Sequence, residues 1–213
     1  MAVSKIKTRE IEMKKQIILE EAAKLIDKVG FKNAKMEDIA HNVGFSKGSL
    51  YSYFRDKEEI AVNIAGQHLQ KFYNKISGLL EMDLTAKDKL ELMKNAHMEF
   101  IKRSKNLMII KPNYQIKEKS RVEFIELKLK TFEVLKSILT QGISEKKFNK
   151  DLNTDYAANL LDAMFIGIVF INSMIINIKP DFTQTKDFNM EEMISYAMDF
   201  FYLGITNTNT GEK

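Results

Sequence analysis

No cysteine occurs anywhere in the 213 residues. Disulfides, thiolate catalysis and cysteine-ligated zinc are therefore excluded. Proline is almost absent too, with only Pro112 and Pro180, so long helices can run uninterrupted. No stretch shows the alternation of a half-buried strand, no segment repeats, and no low-complexity tract breaks the chain. Also missing are a glycine-rich phosphate loop, a nucleophile beside a plausible base, and a His-Glu metal spacing. The three histidines are scattered. No enzyme, cofactor or metal site is expected. The amino end, MAVSKIKTREIEMKK, lacks the apolar core of a signal peptide, which is compatible with a cytoplasmic protein.

What is present is helical periodicity over nearly the whole length. Hydrophobic residues make up 45% and charged residues 29%, the balance of a folded soluble chain rather than a disordered one. Ile17, Ile18, Ala22, Leu25, Ile26 and Val29 share a helix face, beginning near Thr8, and Gly30 follows as a stop. A short second helix is expected over residues 36–43, with Ile39, Ala40 and Val43 inward. Gly44 ends it. Ser46 is placed to cap a third helix through Phe54, its hydroxyl accepting the backbone N–H of Gly48 or Ser49. A fourth helix is expected over 57–80. Further helices are expected over 86–105, 121–146, 156–178 and 189–205, with a less regular piece at 106–119 around Pro112 and a frayed tail after 206. The fold class is all-α. It comprises an N-terminal helix-turn-helix domain (residues 8–57), a larger helical domain (58–206) and a flexible tail (207–213).

The charge is unevenly placed. Residues 1–57 hold twelve Lys and Arg against eight Asp and Glu, an excess of four, and the rest of the chain is balanced. Excess positive charge in one segment suggests a polyanion as partner. Two short helices joined by a tight turn containing Gly form the helix-turn-helix pattern, whose second helix enters the DNA major groove. In SKGSLYSYF, Leu50 and Phe54 lie one turn apart and dock inward with Val43 and Ile39. The opposite face offers Lys47 and Ser49 to base edges and phosphates. Gly48 lets the backbone come close. Tyr51 and Tyr53 have the reach for phosphate oxygens, and Lys57 opens the fourth helix, where its ammonium and the free N–H groups can hold a phosphate.

These residues carry a family resemblance. The run VGFSKGSLYSYFRDKEEI resembles the helix-turn-helix of TetR/AcrR-type transcriptional regulators, with their VSKGTLYxYFxxKEEL pattern. Upstream, ILEEAAKLIDKVGFKNAKMEDIA is similar to their first two helices. The resemblance spans about residues 13–65. It implies base and nearby backbone contacts at Lys47, Gly48, Ser49 and Tyr51, and phosphate contacts at Tyr53 and Lys57. Glu37 matches a second-helix position that sometimes reads a base and is read here as solvated. Ala34-Lys35 stands where the family has a capping Thr or Ser, which leaves Lys35 as a cationic phosphate contact.

Past residue 80 no motif stands out. The layout is similar to the family's second domain, which implies an effector pocket and a homodimer. Large apolar residues on the middle helices suggest a pocket for an apolar or aromatic small molecule: Phe72, Met93, Phe100, Met108, Phe124 and Phe132. His97 is placed with them, although a lone helical histidine is more often an ordinary packing residue. The helix over 156–178 is apolar nearly all round and should be buried on all sides. With the last helix it is expected to build a four-helix interface through Leu161, Phe165, Ile168, Ile171, Met193, Ala197 and Phe201. At 23 residues it is long enough to span a bilayer,. However, Asn159, Asp162, Asn172, Ser173 and Asn177 oppose insertion, and an Asp alone costs ~2.5–3.5 kcal/mol.

The partners expected are thus a double-stranded DNA operator, a second copy of the chain and a small effector, and no membrane. The rival reading is a helical ligand-binding protein whose basic amino end meets an anionic membrane surface. A sequence-indifferent DNA compactor is a second rival.

Overall fold

The first long helix, α1 (Ala2–Val29), presents Ile18, Leu19, Ala22 and Ile26 as a buried stripe at helical spacing,. A computed structural model describes residues 2–104, 107, 118–178 and 189–206. The expected irregular piece at 106–119 and the tail after 206 lie largely outside these residues. α1 starts well before Thr8, because nothing in its first turns breaks a helix. It ends where Gly30 takes φ +79° and donates its N–H to Ile26 O at 2.8 Å.

α2 (Met36–Asn42) buries Met36, Ile39 and Ala40. Lys35 sits at its N-cap without a side-chain cap bond, as expected where Thr or Ser is missing. Glu37 and Asp38 in the first turn supply the negative charge a helix start favours,. The turn that follows is a Schellman closure around Gly44 at φ +71°. Gly44 N–H donates to His41 O at 3.1 Å and Phe45 N–H to Ala40 O at 2.8 Å,. α3 (Lys47–Tyr53) begins at Ser46, whose hydroxyl accepts the Ser49 N–H at 3.1 Å. α4 (Lys57–Ser77) is started by Asp56, which accepts the Glu59 N–H at 2.8 Å, while the Glu59 carboxylate accepts from Arg55 N–H at 2.8 Å,.

Beyond a short 3₁₀ turn (Gly78–Glu81) come α5 (Ala86–Ser104), α6 (Glu118–Ser144), α7 (Thr154–Ile178) and α8 (Met190–Ile205). Among the described residues there is no strand. Asn189 caps α8, accepting from Glu191 N–H. The α6–α7 connection is pinned by Phe148, whose N–H donates to Gly142 O at 3.1 Å, and by Asn149, whose N–H donates to Ile205 O at 2.8 Å.

The chain forms two compact units. The first contains α1, α2, α3 and residues 57–68 of α4, around a core of Ile18, Ile26, Ile39, Leu50, Phe54, Ile60 and Ile64, with Leu107 added from downstream. It therefore extends past residue 57, where a boundary was expected. The second holds the end of α4, α5, α6 from residue 122, α7 and α8. Its core includes Phe72, Ile76, Leu90, Met93, Ile138, Leu139, Phe148, Leu161, Phe165 and Phe201.

Candidate nucleic-acid interface

α3 is divided sharply into two faces. Leu50 is 0% exposed and Phe54 3%, both in the core of the first unit. Lys47, Gly48, Ser49 and Tyr51 lie outside, and Lys35 and Glu37 of the neighbouring turn are exposed as well. A Cβ added at Gly48 would meet nothing within 4 Å. The chain's own packing therefore does not require glycine there, and open space lies in front of that backbone. Tyr53 is half-buried, its ring 5.9 Å from that of Phe45, so only part of it is offered outward.

Two contacts, one charged and one neutral, refine the face. Lys47 Nζ lies 2.5 Å from Glu37 Oε1, which makes Glu37 a partner of the first residue of α3 rather than a merely solvated side chain. The hydrogen bond to Lys47 holds the Glu37 carboxyl below its usual range, and the same bond raises the Lys47 ammonium. Ser49 Oγ lies 2.9 Å from Ser46 Oγ, so its hydroxyl already meets the cap.

Lys57 departs from expectation. Its Nζ donates to Phe31 O, Lys32 O and Ala34 O at 2.9, 3.0 and 3.1 Å, and sits 4.8 Å from the Phe31 ring centroid. An ammonium has three donors, and these carbonyls take all three. Lys57 ties down the α1–α2 turn and has no donor left for a phosphate.

In the second unit a small cavity of about 20 Å³ is lined by Met93, His97, Thr131, Phe132, Leu135, Ala158, Leu161, Asp162 and Phe165. His97 sits between Phe72 and Phe165, each ring centroid 4.4 Å away, and Phe100 packs on Phe72 at 5.3 Å. His97 Nδ1 is wholly enclosed and has no hydrogen-bond partner among the described residues. Burial, helped by the Lys128 cation, lowers the imidazole to about 3. Lys128 pairs with Asp162 at the cavity edge and lies 5.7 Å from the Phe132 ring centroid. Of the expected pocket residues, Met93, His97 and Phe132 line this cavity, while Phe72 and Phe100 stand behind the histidine. Phe124 does not belong to it and is 40% exposed. Met108 lies outside the described residues. Sequence reasoning missed Thr131 and Asp162.

The expected dimer contacts need correction. Leu161, Phe165, Ile168, Ala197 and Phe201 are buried within the chain's own core, and Met193 packs against it. Most of their surface is taken up by the core of the second unit, and only Ile168, Met193 and Ala197 also border the groove between α7 and α8. Ile171 is 43% exposed, and beside it stand Tyr156, Leu160, Ile166 and Phe170 on α7, with Tyr196, Phe200 and Leu203 on α8. α7 is thus not buried on all sides within one chain. Between the two helices runs an apolar groove of about 460 Å³, lined by Met164, Ile168, Glu192, Met193, Tyr196, Ala197 and Phe200. By length and composition alone α7 could cross a membrane, yet its Leu161 side packs into protein and its Asp162 is ion-paired.

The model for bacterial regulatory proteins of the tetR family matches residues 18–64, from the buried half of α1 to the first turns of α4. The chain is 25% identical over 151 residues to the fatty acid metabolism regulator protein of Bacillus subtilis (strain 168), covering 68% of this chain and 75% of that one. It is similar to the crystal structure of the TetR family transcriptional regulator PfmR from Thermus thermophilus, with a TM-score of 0.63, 26% identity, and coverage of 87% and 97%. It shares its fold with FadR from Bacillus subtilis, solved with stearoyl-CoA, at a TM-score of 0.61 and 21% identity over 89% and 98% of the two chains. Residues 18–64, which carry the helix-turn-helix with Lys47, Gly48, Ser49 and Tyr51 outward, thus match the domain of the tetR family of bacterial regulatory proteins, and the chain as a whole is similar to transcriptional regulators of that family.

Proposed function

We propose that the protein is a homodimeric repressor whose two reading heads occupy the half-sites of a near-palindromic operator and leave it when a small apolar effector binds the second unit. The observation that carries the DNA reading is the division of α3: an apolar side sealed into the first unit, and Lys47, Gly48, Ser49 and Tyr51 outside. Lys35 supplies a cation for the phosphate backbone at the start of α2. Half-buried Tyr53 is assigned a phosphate contact through its hydroxyl.

The second copy is supported by the apolar face of α7 and α8. Tyr156, Leu160, Phe170, Tyr196, Phe200 and Leu203 are each 60% exposed or more. A soluble monomer rarely shows so contiguous an apolar patch, whereas an obligate partner covers one.

The effector reading rests on the cavity beside His97. As it stands it holds about one water,, so a larger guest must part Phe132 and Phe165. His97 offers a neutral imidazole with an unanswered ring nitrogen, and Lys128 a cation at the edge that an anionic head group can draw away from Asp162. Once that space is opened, its apolar walls and edge cation match an acyl chain with an anionic head. The named function of the Bacillus subtilis relative and the stearoyl-CoA bound to the FadR of like fold support it. To cause release, the ligand must favour the form that does not bind DNA. α4, which gives residues 57–68 to the first unit and the remainder to the second, is the lever we assign. The site of action is the cytoplasm, where the DNA is.

The test begins with selection of duplexes from a randomised pool. Enrichment of one palindromic sequence, bound by a dimer and released by micromolar long-chain acyl-CoA but not by free coenzyme A, is the expected result. Equal binding to every duplex would instead make the protein a compactor. Binding to anionic vesicles in place of DNA would favour the membrane-surface reading.

A further inference from the structure

Glu37 on α2 and Lys47 at the start of α3 meet at 2.5 Å, with 53% and 60% of their side chains exposed. The contact sits at the first turn of the reading helix, the part that faces base edges in a helix-turn-helix. Both groups stay charged, because each shifts the other away from neutrality. The front of α3 is therefore a matched ammonium and carboxylate with no net charge.

Such a pair makes a poor phosphate clamp. A cation whose charge is already answered releases few counterions, and the carboxylate beside it repels the phosphate. It suits a base edge far better, since a donor and an acceptor stand side by side. In the major groove a G·C pair presents guanine N7 and O6 as acceptors and then the cytosine N4 amino group as donor. A T·A pair keeps the order of acceptor and donor but places a methyl group where the ammonium would meet N7. C·G presents donor and acceptor in the reverse order, and A·T offers the ammonium one acceptor, adenine N7, in place of two and sets a second acceptor, thymine O4, beside the carboxylate.

We propose that Lys47 and Glu37 read one G·C pair in each half-site as a unit, Lys47 donating to guanine O6 and N7 and Glu37 accepting from cytosine N4, and that Glu37 also holds down affinity for non-cognate DNA. The inference rests on the DNA-binding reading given above and adds to it the base pair recognised and the residue that restrains indiscriminate binding.

The experiment uses the full chain and its Glu37→Gln, Lys47→Gln and doubly substituted forms. Both positions are exposed, so the fold should persist, and thermal melting checks this. Each protein selects duplexes from a randomised pool. Its affinity for one random-sequence duplex is then measured across a salt series. Expected is a G·C preference at one position per half-site that E37Q and K47Q each abolish while other positions keep theirs. E37Q should bind the random duplex roughly threefold to tenfold more tightly than the native protein, with a salt slope steeper by about one phosphate per reading head. The double variant should return close to native affinity on that duplex. A Glu37→Gln protein with unchanged base preference, or with unchanged random-duplex affinity and slope, overturns the proposal while leaving the DNA-binding function standing. A native protein that selects no sequence at all overturns both.

Discussion

The ammonium of Lys57 lies 2.9 Å from the carbonyl oxygen of Phe31 and 4.8 Å from the centroid of that residue's ring. One side chain thus closes the turn between α1 and α2 and, through it, fixes where Lys35 and Glu37 stand. Lys57→Met removes the donor from three carbonyls at once. Loss of hydrogen bonds from a charged donor points to a destabilisation of about 2 kcal/mol, read by urea unfolding. The salt dependence of DNA binding by the folded protein should stay unchanged. If stability were unaltered and the slope fell by about one unit instead, Lys57 would be a phosphate contact after all.

Two glycines should differ in what a methyl group does to them. Gly44 adopts φ +71° with open space where a Cβ would go. Gly44→Ala therefore meets only the left-handed backbone penalty, about 1–2 kcal/mol. At Gly142 an added Cβ would come within 2.1 Å of the Phe148 ring, which is itself 0% exposed. Gly142→Ala must displace that ring or bend α6, and the larger loss of melting temperature is expected there. Combining it with Phe148→Leu should recover part of the loss, because the smaller side chain vacates the contact.

His97 gives the second unit a pH signature. Its imidazole is held at about 3 by burial, against about 6.5 in an unfolded chain. Between these values the unfolded state binds the proton and the folded state does not. Stability is therefore fully present above pH 6.5 and declines as the pH falls toward 3, at up to about 1.4 kcal/mol per unit. His97→Phe should flatten the difference in unfolding free energy between pH 7 and pH 5. An equal drop in both proteins would mean that the histidine is protonated in the fold.

The faces of α7 and α8 predict two kinds of failure. Phe170 and Phe200 are 63% and 67% exposed, so changing both to Asp should leave each chain folded but monomeric in sedimentation, with weak operator binding,. Phe165 is buried beside His97, and Phe165→Ala should cost about 3–5 kcal/mol of stability,. A dimer that survives the double Asp change would place the interface elsewhere.

The reading head was largely legible in the sequence because its signals are local. A glycine after an apolar run, a serine before the next helix, and Leu50 one turn from Phe54 are short-range facts, and the structure keeps all three. The rest depended on distance in space. A lysine opening a helix looks like a phosphate contact until the carbonyls of residues 31–34 prove to lie within reach of it. On α7, periodicity could not say which apolar side the chain would cover itself: Leu161 is 2% exposed and its neighbour Leu160 60%. Glu37 looked solvated because its partner lies ten positions away on another helix.

The serine that opens α3 also sets the posture of a hydroxyl four positions into the motif. Ser46 Oγ receives the amide of Ser49 and at the same time touches its side chain at 2.9 Å. In the DNA-bound form proposed above, Ser49 would meet the duplex with one of its few bonding directions already occupied by Ser46. Drift at position 46 would not only loosen the start of a helix but also change what its neighbour can say to DNA, so folding and recognition are inherited together in this turn.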